Sequence, residues 1–262
     1  MRWHNFKVFD RKISEGKIVV INKENILIIG GYETDNFDWA VDQPSKDILT
    51  FHIPSKKFQK IGQMMNNRIY FGIAQEEELV YVIGGSLKGQ DLRSCETFNV
   101  ENRVNDGLPN LAQPYRGPTC TTFQKRYVYA VGFEVQHDRT SMQQLDMERG
   151  SWIFLTVLSE HRIWLVGLHM VDENSLILFG GQAINDNNQK YSRILKYTLQ
   201  QNRFDVLVSR LVKDDKFFFN NQNIIDKTAN CIYSMGRDYI HKVSLAKMSC
   251  FIPDVGYVEY YT

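Results

Sequence analysis

The sequence predicts an all-β fold, because three short patterns recur about every fifty residues along the chain. The first is an apolar run that ends in glycine, as in NILIIGGY (25 to 32) and LVYVIGGS (79 to 86). The second is a pair of residues seven positions apart with a polar stretch between them, and the third is a basic residue ahead of each glycine run. Short apolar, β-branched and aromatic runs bounded by turn residues are typical of strands.

The glycine runs predict one buried strand in each unit. Such a strand ends in glycine where the backbone needs a positive φ angle or where a neighbouring segment comes very close. We therefore interpret these glycines as architectural and assign no chemistry to them. The first glycines of the five copies are Gly30, Gly84, Gly132, Gly180 and Gly236.

The residue pairs predict a hairpin after each glycine run. Polar or turn-rich segments such as HIPSKK and DMERGS separate the two members, which is the pattern of two strands joined by a short connection. The five pairs are Phe51 and Phe58, Phe98 and Asn105, Leu145 and Trp152, Tyr197 and Phe204, and Val243 and Cys250.

The basic residues open one further strand in each unit, which brings the number of strands per unit to four. These residues are Lys12, Arg68, Arg116, Arg162 and Lys216. Four short antiparallel strands cannot bury both faces alone, so neighbouring units must stack, and radial stacking produces a β-propeller. We expect one domain over residues 1–262, with repeat units at about 12–61, 68–108, 116–157, 162–208 and 216–252.

With these landmarks in place, the sequence resembles the kelch-repeat family of β-propellers. In RIYFG (68 to 72) and KISEG (12 to 16), the basic residue and the glycine four positions later both match the strand-a pattern of that family. The third and fifth copies depart from it, because each lacks the second glycine. The resemblance implies a kelch-type propeller of about five four-stranded antiparallel blades.

Two terminal segments, WHNFKVF (3 to 9) and VGYVEYY (255 to 261), are also β-prone. Propellers commonly join their ends by pairing terminal strands within one blade, so we expect five complete blades with adjacent termini. The alternative is a sixth, incomplete blade made from both terminal strands. Its open sheet edges would invite aggregation, which favours the arrangement with five blades.

The composition restricts the possible partners and compartments. Lys and Arg number 31 and Asp and Glu number 30, a net charge of +1, so we expect neither a general nucleic-acid surface nor an anionic-membrane surface. The chain has no apolar run of about 18 residues, and its first residues, MRWHNFKVFDRK, lack the apolar region of a signal peptide. We expect a cytoplasmic protein that does not span a membrane.

No motif in the sequence predicts catalysis, a metal or a cofactor. The four cysteines (Cys95, Cys120, Cys231 and Cys250) show no CxxC or Cys/His spacing, so we expect buried free thiols. The six histidines form no HxH or HExxH pattern, and neither a GxSxG elbow nor a phosphate-binding loop is present. We interpret the acidic run QEEEL (75 to 79) as a solvated turn between two strands.

The basic residues and one loop are the candidate binding groups. In a closed ring, five equivalent basic positions would surround the central mouth, and arginine suits the capture of carboxylates. In kelch adaptors of ubiquitin ligases, arginines at this repeat position contact acidic segments of partners. Alternatively, these side chains cap strand ends or pair with neighbouring carboxylates. The loop at 32–46 offers Phe37 and Trp39 as interface anchors, unless both rings fold back over the blade edge.

The sequence therefore predicts a non-enzymatic protein-interaction module, such as a substrate adaptor or scaffold, that binds an acidic segment of a protein partner. The predicted binding residues are Lys12, Arg68, Arg116, Arg162, Lys216, Phe37 and Trp39. The alternative is a propeller enzyme or small-molecule binder with its site at the same mouth. A converging cluster of His, Tyr and carboxylate groups with shifted pKa values would favour that alternative.

Overall fold

A computed structural model describes residue 13 and residues 16–32, 44–158, 163–164, 167–179, 182–183, 194–208, 223–226, 231–235, 240–244 and 258–261. Within these residues the chain is all β, apart from one short 3-10 helix at Val135–His137. The strands form five four-stranded antiparallel sheets and two two-stranded ones. In the part described, no helix is long and apolar enough to cross a membrane.

The five large sheets follow one another along the chain. The first contains β1 (Lys17–Val20), β2 (Asn25–Ile29), β3 (Asp47–His52) and β4 (Lys57–Gln63). The second contains β5 (Gly72–Glu76), β6 (Leu79–Ile83), β9 (Cys95–Asn99) and β10 (Asn105–Leu108). Between β6 and β9 the chain forms a separate two-stranded hairpin of β7 (Ser86–Leu87) and β8 (Gln90–Asp91). The third contains β11 (Arg116–Phe123), β12 (Tyr127–Glu134), β13 (Arg139–Asp146) and β14 (Ser151–Val157).

The fourth sheet is accompanied by a separate two-stranded pair, β15 (Ile163–Trp164) and β18 (Gln182–Ala183). Along the chain, β15 precedes the first strand of the fourth sheet and β18 follows its second strand. Its own strands are β16 (Gly167–Asp172), β17 (Ser175–Phe179), β19 (Ile194–Thr198) and β20 (Arg203–Val208). The fifth sheet contains β21 (Asn223–Asp226), β22 (Cys231–Met235), β23 (Ile240–Ser244) and β24 (Val258–Tyr261). In every large sheet the spatial order of the strands follows the chain order, so each sheet is an up-and-down meander.

The register confirms four of the five predicted hairpins, because the members of each pair lie directly opposite each other. These pairs are Phe51 and Phe58, Phe98 and Asn105, Leu145 and Trp152, and Tyr197 and Phe204. Two of them stack aromatic rings, with centroids 4.8 Å apart for Phe51 and Phe58 and 4.7 Å apart for Tyr197 and Phe204. Cross-strand aromatic pairs of this kind stabilise a sheet.

The fifth predicted hairpin is wrong. Val243 lies opposite Val258, so the last strand of the fifth sheet is the carboxyl-terminal β24 and does not begin near Cys250. The segment after Val243, SLAKMS, carries Leu, Ala and Met where the other units have turn residues, so the spacing to Cys250 does not mark a tight turn. The four described strands of this sheet come from residues 223–261, and the predicted strand at 3–9 lies outside the described residues.

The glycine motifs serve both of the structural needs expected from the sequence. Gly30 and Gly31 have φ angles of +63° and +92°, and Gly84 and Gly85 have +59° and +97°, which side chains rarely adopt. Gly132 instead lies within β12, where a Cβ atom would lie only 2.4 Å from Cγ of Tyr115. Gly180 and Gly236 fall outside the described residues.

Apolar clusters join the first four sheets in succession. Adjacent residues of one strand face opposite neighbours, so the middle sheets are buried on both faces, and the second strand of each, β6 or β12, is largely apolar. The three clusters contain, respectively, Leu27 with Val80, Tyr81 with Val128, and Tyr129 with Leu176. The first strands of the second, third and fourth sheets also contact one another in order, β5 with β11 and β11 with β16.

Candidate functional site

The structure describes two of the seven predicted binding residues, Arg68 and Arg116. The remaining five lie outside the described residues: Lys12, Arg162, Lys216, Phe37 and Trp39. The candidate site therefore lies on the second and third sheets. It is at the end of each sheet where the second strand, β6 or β12, ends and the third strand, β9 or β13, begins.

Arg68 is a buried structural residue. Its side chain is 0% exposed and donates through Nη1 to the carbonyl oxygens of Gly84 (2.8 Å) and Ser94 (2.7 Å). Nη2 donates to the Ser94 hydroxyl and, at 3.1 Å, to the carboxylate of Glu96, which is also buried. Burial lowers the pKa of Arg68, and the Glu96 carboxylate opposes that shift. Arg68 is thus not available to a partner. It pairs with a carboxylate, which was the alternative role considered for the basic residues.

Arg116 does not occupy the position of Arg68 in the next unit. Ser94 and Ser141 are equivalent residues, because each lies across from the first glycine of the motif in its unit, Gly84 or Gly132. Arg68 contacts Ser94, whereas the residue that contacts Ser141 is Tyr115, through a 2.6 Å bond between the two hydroxyls. The expected ring of equivalent basic residues therefore has a tyrosine in the third unit.

Arg116 links the third sheet to the β7–β8 hairpin of the second. Its Nε donates to Asp91 at 2.8 Å and its Nη2 to the carbonyl of Gly89 at 3.3 Å. The turn of that hairpin has positive φ at both Lys88 (50°) and Gly89 (78°), as tight hairpin turns require. The Arg116 side chain remains 32% exposed, so its guanidinium group is both anchored and accessible to solvent.

Two further arginines at this end are anchored in the same way. Arg93 donates through Nε to the carbonyl of Leu111 at 2.6 Å, and Arg139 donates through Nε to Glu134 at 3.0 Å. An arginine held through Nε still presents terminal N–H groups in the fork that suits a carboxylate. Neither arginine was predicted from the sequence, although each lies at or just before the start of the third strand of its sheet, a position that could have indicated it.

A chain of polar groups lies beneath these arginines. The Tyr115 hydroxyl contacts the Ser141 hydroxyl, which donates to the Glu134 carboxylate. His137 Nδ1 lies 3.2 Å from the same carboxylate and is 45% exposed. Burial raises the pKa of Tyr115 well above its usual value. The carboxylate lies between the serine and the histidine, so the histidine cannot take the serine proton as it does in a catalytic triad.

The acidic run at 75–79 is a solvated turn, as predicted. Glu77 has a φ angle of 53° and a side chain that is 65% exposed, and it pairs with Lys125 of the third sheet. The backbone N–H of Lys125 donates to Glu76 at 2.7 Å. These contacts join neighbouring sheets at the end opposite to the arginines.

The described cysteines are buried free thiols, also as predicted. Cys95 and Cys120 form no disulfide, and burial raises the pKa of both, that of Cys95 to about 11. Such thiols are poor nucleophiles and poor metal ligands at neutral pH. Within the described ranges, no group of three or more His, Cys, Asp and Glu side chains could hold a metal ion.

Comparison with known proteins identified no relative: the chain matches no protein-family model and no curated protein.

Proposed function

We propose that the chain is a kelch-type β-propeller that acts as a non-enzymatic protein-interaction module, as a substrate adaptor or scaffold. Its binding surface is formed by Arg93, Arg116 and Arg139 with the loops between the second and third strands, and its ligand is an acidic segment of a protein partner. The observation that carries this proposal is the anchoring of all three arginines through Nε at one end of two neighbouring sheets.

The packing of consecutive sheets supports a propeller. Each apolar cluster joins one sheet to the next, and the first strands β5, β11 and β16 contact one another in order, as strands around a central axis do. Loops at one end of such a ring vary without disturbing the scaffold, which suits recognition. The β7–β8 hairpin and the 3-10 turn at Val135–His137 are two such loops, with different lengths and charges.

Pre-organisation is the physical reason to assign binding to these arginines. A free arginine loses side-chain entropy when it binds, whereas one held through Nε has already lost much of that freedom. Hydrogen bonds to charged groups contribute about 1.5–3 kcal/mol each. Side chains that are already held in place therefore retain more of this contribution when they bind.

A second candidate function is a propeller enzyme or small-molecule binder. The chain of Tyr115, Ser141, Glu134 and His137 favours it, because tyrosine, carboxylate and histidine converge there and the pKa of Tyr115 is strongly raised. We place it second because Tyr115 and Ser141 are 0% exposed and satisfy each other's hydrogen bonds.

The test uses an array of acidic peptides and the Arg93→Ala, Arg116→Ala double variant. We expect the wild-type chain to bind a subset of the peptides and the variant to bind them at least tenfold more weakly, since about 1.4 kcal/mol corresponds to tenfold. The melting temperature should fall only modestly, because Arg93 is exposed and Arg116 is 32% exposed.

The control is Lys60→Ala, which removes a cation of the first sheet that is 49% exposed and paired with Asp47. This variant should bind the same peptides as the wild type. Equal loss in both variants would indicate non-specific attraction to charge, and unchanged binding in the arginine variant would reject the proposed surface.

A further inference from the structure

The outer strand of the third sheet, β14, differs from every other edge strand described. The five large sheets have ten edge strands, and nine contain at least one Asp, Glu, Lys or Arg. The exception is β14, whose sequence is SWIFLTV. Charged residues on edge strands are a common protection against pairing with another chain. Only β14, among these ten strands, lacks it.

The β14 strand also exposes large apolar side chains. Ile153 is 43% exposed and Phe154 is 44% exposed, and they project from opposite faces of the strand. Trp152 beside them is buried and donates through Nε1 to the carbonyl of Pro109, which fixes the strand to the preceding sheet. The Arg139 guanidinium lies 5.4 Å from the centre of the Phe154 ring. The exposed apolar edge is therefore held in a defined position.

The backbone of β14 is regular where these residues lie. Ser151 to Phe154 pair in sequence with Asp146 to Gln143, and the register shifts only beyond Phe154, so that Leu155 is the extra residue of a bulge. A bulge protects an edge by twisting it away from a neighbour. Here the bulge follows the exposed stretch, and among the described strands none pairs with the outer edge of the four regular residues, Ser151 to Phe154.

We propose that β14 pairs with β14 of a second copy of this chain, forming a two-fold symmetric dimer with one sheet running continuously across both copies. A two-fold axis makes two identical strands antiparallel, and the same edge serves both copies. A second copy fits because its own β14 brings no charge against the first, whereas self-pairing of β4 or β20 would place charged residues in the interface. A contact of one strand per copy is smaller than the roughly 1,600 Å² of a standard interface, so the dimer is weak.

The experiment is analytical ultracentrifugation of the full chain over a range of concentrations, comparing the wild type with Ile153→Lys. We expect a monomer–dimer equilibrium in the wild type and a dissociation constant at least tenfold higher in the variant, because lysine on an edge strand opposes pairing. The matched control is Val206→Lys, a residue of the outer strand β20 that is 50% exposed. It should leave the equilibrium unchanged.

A second measurement covers the case in which the lysine variant folds poorly. Phe154→Cys should form an intermolecular disulfide under oxidation, and Val206→Cys should not. A wild-type chain that stays monomeric at the highest concentration reached, equal effects of both lysine substitutions, or equal cross-linking of both cysteine variants would each overturn the proposal.

Discussion

Arg68 and Arg116 are basic residues at similar places in two successive repeats, yet Arg68 is buried and Arg116 is partly exposed. The sequence marks Arg68 only as a basic residue four positions before a glycine, a pattern that fits both a partner-binding cation and one that pairs with a carboxylate. Its carboxylate partner, Glu96, lies in β9, far along the chain, so no local pattern indicates the buried pair. In the third sheet, Tyr115 occupies the position equivalent to Arg68, and Gln143 occupies the position of Glu96. The buried ion pair of the second sheet is therefore replaced by uncharged polar groups in the third.

Removing the guanidinium group of Arg68 should destabilise the protein strongly. The Arg68→Met variant leaves Glu96 as an uncompensated charge, 1% exposed, and loss of one partner of a buried ion pair costs about 3–5 kcal/mol. Chemical denaturation should therefore show a lower free energy of unfolding. Arg203→Met is the control, because Arg203 is 62% exposed in its pair with Asp205 and its loss should have no measurable effect.

A second substitution should restore much of the lost stability. Glu96 also accepts a bond from the backbone N–H of Met65 at 2.6 Å, and Gln143 accepts the equivalent bond from Ala112 at 2.7 Å. The Arg68→Met, Glu96→Gln double variant keeps this acceptor and removes the buried charge. If the double variant is no more stable than Arg68→Met, the uncompensated charge is not the cause of the loss.

At the scale of the element, the hairpins were predictable and the close packing of strands was not. A hairpin depends on residues a few positions apart, and four of five predicted pairs are direct cross-strand neighbours. The register also reveals a repeated bulge three residues after the second member of the pair, at Ile61, Leu155 and Leu207. The contact of Gly132 with Tyr115 depends on a segment from before the preceding strand, which the sequence does not specify.

Two strand glycines provide a matched test of that contact. Gly132→Ala in β12 would place a Cβ atom 2.4 Å from the ring of Tyr115, which is fully buried, and overpacking of this kind costs about 1–3 kcal/mol. Gly107→Ala in β10 meets nothing within 4 Å and should be neutral or slightly stabilising. Thermal unfolding should separate the two variants, and equal melting temperatures would contradict this account of Gly132.

For the whole molecule, the repeat period predicted five large sheets because every unit carries the same local pattern. Closure of these sheets into a ring would depend on contacts between the first and last units, which no local pattern encodes. The first sheet still has an apolar second face: Ile28, Leu49 and Phe51 are buried but belong to none of the three apolar clusters. A single sheet cannot bury both of its faces, and we propose that the fifth sheet packs on this one.

Spin-label distances can test that closure. Labels at Glu77 and Lys125 measure the distance between turns of two neighbouring sheets, since these two residues form an ion pair. Labels at Lys23, in the first turn of the first sheet, and at Asp226, the last residue of β21, report the fifth sheet relative to the first. The labelled cysteines are introduced into a chain whose four native cysteines are replaced by alanine, once its melting temperature has been matched to that of the wild type.

In a closed ring the first and fifth sheets are neighbours, so the distance from Lys23 to Asp226 should resemble that from Glu77 to Lys125. It should also be shorter than the distance from Lys23 to Lys125, since those turns belong to sheets separated by one other sheet. In an open row the first and fifth sheets are the two ends, and the order of these distances reverses. A broad, long distribution for Lys23 and Asp226 would therefore reject the closed propeller, whereas a narrow, short one would require the fifth sheet to cover Ile28 and Leu49.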